Sequence, residues 1–158
     1  MRRARSCPAR AFGVLTAPTF TNQSGRHQRD GSNIVTKVLY VEHDNDNLYM
    51  LKTRLEWVGN FEVLVAEDSE KGCELAVAEH PDVILMDLEM PVVDRWEPVR
   101  RLKKDPQTRN IPIIGMSAYA MDSERKKAIA TGCDEFDAKP IEIESLVATV
   151  RRVLAKSK

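Results

Sequence analysis

The 158-residue sequence is poor in the residues that build several common classes of protein. Its three cysteines, Cys7, Cys73 and Cys133, are an odd number at unrelated spacings, which fits neither a disulfide framework nor a zinc site. A reducing compartment, the cytoplasm, is therefore expected. No apolar run approaches the ~20 residues of a membrane helix, so no membrane insertion is expected. Net charge of one sign is missing too, because 24 Lys and Arg balance 24 Asp and Glu, and nothing in that balance argues for direct nucleic-acid binding. No glycine-rich phosphate loop follows the first apolar segment, which counts against an enzyme that would depend on one.

The charge balance conceals an asymmetry. Residues 1–33 hold six arginines against one acid, Asp30, leaving 18 basic and 23 acidic residues in the remainder. The opening MRRARSCPARAFGVLTAPTF begins like a signal peptide, but Pro8, Arg10 and Pro18 interrupt any apolar core. Its Arg-rich, acid-poor composition has a superficial likeness to an organelle transit peptide. The reading adopted for 1–33 is a disordered tail or residues foreign to the native protein. At this length, with 42% hydrophobic and 30% charged residues, one ordinary core and hence one domain is expected, over 36–155.

From about Lys37 strand-like and helix-like segments alternate. KVLYV (37–41) is β-rich and runs into the acidic cluster EHDNDN. Leu48, Leu51, Leu55 and Val58 recur at helical spacing until Gly59-Asn60. FEVLVA (61–66) predicts a second strand, and Asp68-Ser69 a capped helix through His80. VILMD (83–87) predicts a third strand, its unbroken apolar character pointing to burial on both faces. Trp96, Val99 and Leu102 mark a third helix, in which Pro98 is tolerable only in the first turn. IPIIGMSA (111–118) predicts a fourth strand, and MDSERKKAIATG a helix capped by Asp122 or Ser123 and ended by Gly132. EFDAKP carries a short fifth strand, and Ile143, Leu146, Val147, Val150 and Leu154 form the face of a last helix. Five strands alternating with five helices predict an α/β fold, an open five-stranded parallel sheet wound on both faces.

Ligands in such sheets bind beyond the carboxyl ends of the strands. There the first strand delivers Glu42, His43 and Asp44, the third Asp87, the fourth Ser117 and the fifth Lys139. Each alone has a plain structural explanation as a turn, cap or solvated residue. Together, carboxylates, a hydroxyl and an ammonium in one crevice suit a hard divalent cation and a small tetrahedral anion.

The sequence resembles the receiver domain of two-component response regulators, in a single-domain form. The likeness covers roughly 36–155 and rests on VLYVEHDNDN, the ILMDLEMP block around Asp87, the IIGMSA strand ending in Ser117, and FDAKP with Lys139-Pro140. It implies the doubly wound strand order 2-1-3-4-5. It further implies that Asp87 is the phosphoacceptor for a phosphohistidine on a sensor histidine kinase or histidine phosphotransfer protein. Mg2+ would be held by Glu42, Asp87 and the backbone carbonyl of Glu89, Lys139 would pair with a phosphoryl oxygen, and Ser117 would donate to the phosphate. Lys139-Pro140 would be cis. Ser117 and Phe136 would be the switch residues, Phe136 as plain core being the competing reading. The output would be a changed protein-binding surface for a downstream partner, because only AKSK follows Leu154 and no output domain is expected. Such a protein is not an enzyme beyond its own phosphotransfer and slow autodephosphorylation.

The sequence departs from that pattern at two positions. Where the family has two adjacent acids after the first strand, this chain has Glu42-His43, and imidazole is a poor magnesium ligand. Asp44 is a candidate substitute, since residues 42 and 44 fall on one side if the strand's alternation continues. Arg95 stands where the pattern usually has glycine, and strain of about 1 kcal/mol or more follows if the backbone there needs positive φ. A degenerate pseudo-receiver, working as a phosphorylation-independent interaction module, is the alternative function.

Overall fold

Strands and helices alternate without exception in the computed structural model, which describes residues 34–91 and 94–157. In chain order they are β1 (Thr36–Val41), α1 (Asn45–Val58), β2 (Phe61–Ala66), α2 (Ser69–Glu79), β3 (Val83–Asp87), α3 (Glu97–Lys104), β4 (Ile113–Ser117), α4 (Asp122–Thr131), β5 (Glu135–Ala138) and α5 (Ile143–Lys156). The sheet is parallel with order β2-β1-β3-β4-β5. The expected architecture and strand order are those observed. The proposed N-terminal tail lies outside the described residues.

Side-chain alternation along the strands sends apolar groups to two separate layers. Leu39, Val41, Ile84, Met86 and Ile113 face α2, α3 and α4, where Cys73, Ala76, Val99, Leu102 and Ala128 meet them. Val38, Tyr40, Val83, Leu85, Ile114 and Met116 face α1 and α5, against Leu48, Leu51, Leu55, Leu146, Val150 and Val153. The central strand β3 is buried along its whole length, as its unbroken apolar run predicts.

Packing between α2 and β1 is tight enough to require glycine. A Cβ on Gly72 would lie 2.7 Å from Cγ2 of Val41, a β-branched side chain with little rotamer freedom. Gly72→Ala gains about 1 kcal/mol of helix propensity, yet overpacking costs about 1 to 3 kcal/mol. A net loss of about 1 kcal/mol is expected, measured as a lower urea midpoint at unchanged slope. An unchanged or raised midpoint would show that Val41 moves aside freely.

Several local expectations need correction. β4 begins at Ile113 and not Ile111, because Pro112 has no N–H to offer the ladder, although its carbonyl still accepts from Ile84 N–H at 2.9 Å. Asp122 and Ser123 do not cap α4: Met121 takes the extended N-cap position, with no side-chain hydrogen bond, and Asp122 opens the helix. The Asp122 and Glu124 charges favour the first turn through the helix dipole instead. α2 ends at Glu79, with His80 as its left-handed C-cap at φ 44°. Pro98 lies in the first turn of α3, as its ring demands. Arg95 escapes the strain expected of it, since among the described non-glycine residues only Asn60 and His80 have positive φ.

Candidate functional site

β1 and β3 end side by side, and each delivers a carboxylate to the same point beyond the sheet. Glu42 follows β1 directly and is 0% exposed; Asp87 closes β3 and is 2% exposed. Burying two acids is tolerable only with compensating partners. Lys139, following β5, supplies the main one: its Nζ lies 2.8 Å from Oε2 of Glu42 and 3.1 Å from Oδ1 of Asp87. Burial pulls the Lys139 pKa down, but the hydrogen bond to Glu42 and the charge of Asp87 outweigh it and hold the ammonium above the ordinary lysine value.

The remaining oxygens are served unevenly. Tyr40 Oη donates to Glu42 Oε2 at 3.1 Å, and Asp44 N–H donates to Oε1 at 3.2 Å. Burial first, and then the Glu42 charge, push the Tyr40 phenol far above its usual range, which keeps it a donor. Glu89 N–H donates to Oδ1 of Asp87 at 2.9 Å. Oδ2 of Asp87 is buried and has no hydrogen-bond partner. A buried carboxylate oxygen left in that state costs about 1 to 3 kcal/mol or more.

His43 is closer to the centre of the site than its exposed position after β1 suggests. Its side chain is 46% exposed, yet Nδ1 sits 3.2 Å from Oε1 of Glu42 and 3.3 Å from Oδ2 of Asp87. Among the described residues, Glu42, His43 and Asp87 form the cluster of potential metal donors, with one atom from each within 4.8 Å of the others. Asp44 is not part of it. Its Oδ1 caps α1, accepting from Asp46 N–H at 2.9 Å and Asn47 N–H at 3.1 Å.

Ser117 ends β4, fully buried, with Oγ accepting from Tyr119 N–H at 3.0 Å and its carbonyl accepting from Lys139 N–H at 2.9 Å. The register sets Asp87 opposite Met116, one residue short of Ser117. Glu89 Oε2 lies 3.9 Å from Lys139 Nζ. Phe136, in β5, is buried in the layer that faces α2, α3 and α4. The Lys139-Pro140 bond is cis, as expected.

Two contacts at the site were not legible in advance. The KVLYV run marks Tyr40 as a strand residue and nothing more, although its spacing of two from Glu42, which puts both on one side, is a signal of the contact. Arg95, which stands where the family pattern usually has glycine, bonds Glu124 of α4 at 2.6 Å and lies over the Trp96 ring at 4.8 Å. No local pattern announces a pair separated by 29 residues. Both cysteines in the described residues are buried, which pushes Cys73 up to about 11 and Cys133 up to about 12, so neither serves as a thiolate.

The topology and the crevice of acids around one lysine define a doubly wound α/β protein whose site lies at the strand tips. Residues 38–151 match the family described as the response regulator receiver domain, and the chain belongs to that family. Over 121 residues it is 31% identical to the polar-differentiation response regulator DivK of Brucella ovis, covering 76% of this chain and 98% of that one. Among solved structures it is similar to the chemotaxis protein CheY4 of Vibrio cholerae, with TM-score 0.70, 28% identity, and coverage of 75% and 98%. It is also similar to the receiver domain of the sensor histidine kinase PA1611 of Pseudomonas aeruginosa, solved with a magnesium ion in its active-site cleft, with TM-score 0.68, 26% identity and coverage of 76% and 98%. The protein is thus a phosphorylation-dependent switch of two-component signalling, and the phosphorylation-independent alternative is not favoured. Receiver domains bind Mg2+ at an acidic pocket and pair with histidine kinases or phosphotransfer proteins. Among the described residues no helix is long and apolar enough to cross a membrane.

Proposed function

We propose that Asp87 accepts the phosphoryl group from a phosphohistidine of a sensor kinase or histidine phosphotransfer protein. The carboxylate forms a P–O bond as the P–N bond of the donor breaks; with the other ring nitrogen of the phosphohistidine protonated, the electron pair of that bond returns to the ring, leaving an acyl phosphate on Asp87 and neutral imidazole on the partner. The observation that carries this reading is the buried Oδ2 of Asp87, which has no hydrogen-bond partner, so the carboxylate keeps lone pairs open to an incoming electrophile. Lys139 already spans Glu42 and Asp87 and holds its positive charge where phosphoryl oxygens would arrive.

The donor set fits a divalent cation in its two buried carboxylates but fits Mg2+ poorly in its third member, since magnesium favours oxygen ligands and octahedral geometry. A cation there would offset repulsion between the incoming phosphoryl group and Asp87, with the Glu89 carbonyl as a further donor. Phosphorylation replaces one negative charge by roughly −1.5 to −2. Ser117 then leaves Tyr119 N–H for a phosphoryl oxygen, and the segment 118–120 follows it. Phe136, behind that segment in β5, is the aromatic group that answers the shift, and α4, β5 and α5 present the altered surface to a downstream protein. Apart from this transfer and slow loss of its own phosphate the protein is no enzyme, and the cytoplasm is where its buried free thiols and its partners belong.

Incubating the full chain with a small phosphodonor, in parallel with Mg2+ and with Zn2+, tests the assignment by mass spectrometry and amide NMR. One added phosphoryl group is expected on Asp87, with Ser117, Phe136 and Lys139 amides shifting, and no response in Asp87→Ala. Modification at another residue, or none with either cation, overturns it.

A further inference from the structure

We propose that the Glu42, His43 and Asp87 site selects a borderline transition cation of the Zn2+ or Co2+ class over Mg2+. The inference deepens the phosphoacceptor reading, since it concerns the cation beside Asp87, and its test is arranged to separate the two.

The two carboxylates divide their oxygens between two neighbours. Oε2 of Glu42 and Oδ1 of Asp87 are held by Lys139, while Oε1 and Oδ2 turn toward the imidazole Nδ1 at 3.2 and 3.3 Å. Bonds of about 2.1 Å to one metal set neighbouring donors about 3.0 Å apart at a right angle and about 3.4 Å apart at a tetrahedral angle. The spacing of Nδ1 from both oxygens lies within that interval. Oδ2 of Asp87 is a nine-tenths buried, unpartnered oxygen aimed into the same space, so the cluster is more than a set of nearby acids.

Chemistry then selects the ion. Imidazole nitrogen suits Zn2+, Co2+, Ni2+ and Fe2+, whereas Mg2+ demands hard oxygen donors and keeps its waters. One nitrogen and two carboxylate oxygens make three protein donors, the number typical of zinc sites that keep a position open for a reacting ligand. The partly exposed face of His43 provides the entry. Lys139 and Tyr40, bonded to the far oxygens, fix the carboxylates in orientation before any ion arrives.

Zn2+ exceeds Mg2+ in affinity at most such sites, so raw affinity does not test the claim; the ratio between the two does. Calorimetric titration of the full chain with Zn2+ and with Mg2+ is compared among the native protein, His43→Asp and His43→Ala. The Zn2+ to Mg2+ affinity ratio is expected to be about 10- to 100-fold larger in the native protein than in His43→Asp. His43→Ala is expected to lose the tight Zn2+ event while keeping any background from Cys7 and His27. In the native protein the His43 Nδ1 nitrogen resonance is expected to move on adding Zn2+. Equal ratios in the native protein and His43→Asp, or a still Nδ1 resonance, would overturn the inference and leave His43 as a ring lying beside the two acids with no ligating role. If the ratio and resonance behave as expected but no cation supports labelling of Asp87, the phosphoacceptor reading fails while the metal preference stands.

Discussion

Asp87→Asn is expected to abolish phosphoryl acceptance and to raise stability by about 1 to 3 kcal/mol. The two buried carboxylates share one lysine, and Oδ2 of Asp87 has no hydrogen-bond partner. Asparagine keeps the shape, retains an acceptor for Glu89 N–H and Lys139, and removes the surplus charge. The gain should appear as a rise of several degrees in the thermal midpoint under chelating conditions and shrink when a divalent cation is added to both proteins, because the cation stabilises only the carboxylate form. A midpoint that falls, or a gain that grows with added cation, would mean that Asp87 is a structural acid and not a site held in readiness.

Lys139→Met should act in the opposite sense. It preserves side-chain length but leaves Glu42 and Asp87 buried without their cation, a change expected to cost about 3 kcal/mol. Phosphoryl transfer to Asp87 should fall by about 10²- to 10³-fold, as for loss of one preorganised electrostatic contact. Because the folded protein raises the Lys139 pKa, its contribution is fully present below the ordinary value of 10.5 and fades as pH rises through the folded value. The stability difference between native and variant proteins should therefore be flat from neutral pH to about 10 and close only in stronger alkali. In the Asp87→Asn background, where one of the two stranded charges is gone, Lys139→Met should cost clearly less than it does in the native protein, since the residues share a contact. Chemical denaturation of the four proteins measures the coupling, and strict additivity would remove Lys139 from the site's electrostatics.

Much of the fold was legible because its signals are local and redundant. β3 was readable from five consecutive apolar or terminal residues, and α1 from Leu48, Leu51 and Leu55 followed by Gly59-Asn60. β4 was read two residues early because apolar character alone does not reveal that Pro112 is outside the ladder. The α4 cap was misassigned because Asp122 and Ser123 are good capping residues wherever they stand, and only the path of the backbone decides which residue takes the extended position. At the site, the gathering of Glu42, Asp87 and Lys139 followed from strand order, which turns three distant segments into neighbours. The place of His43 did not, because the direction of its ring depends on the turn between β1 and α1, where the alternation of the strand no longer applies. That same turn committed Asp44 to the helix end.

The Arg95 to Glu124 bond gives α4 a particular standing. Of that helix only Ala128 is buried, so little apolar surface fastens it to the sheet. Among the described residues its charged contacts are two: Arg95, from the segment between β3 and α3, bonds Glu124, and Arg125 lies 3.7 Å from Glu135 of β5. If phosphorylation at Asp87 displaces the segment that carries Arg95, the bond to Glu124 is the contact through which α4 is expected to answer.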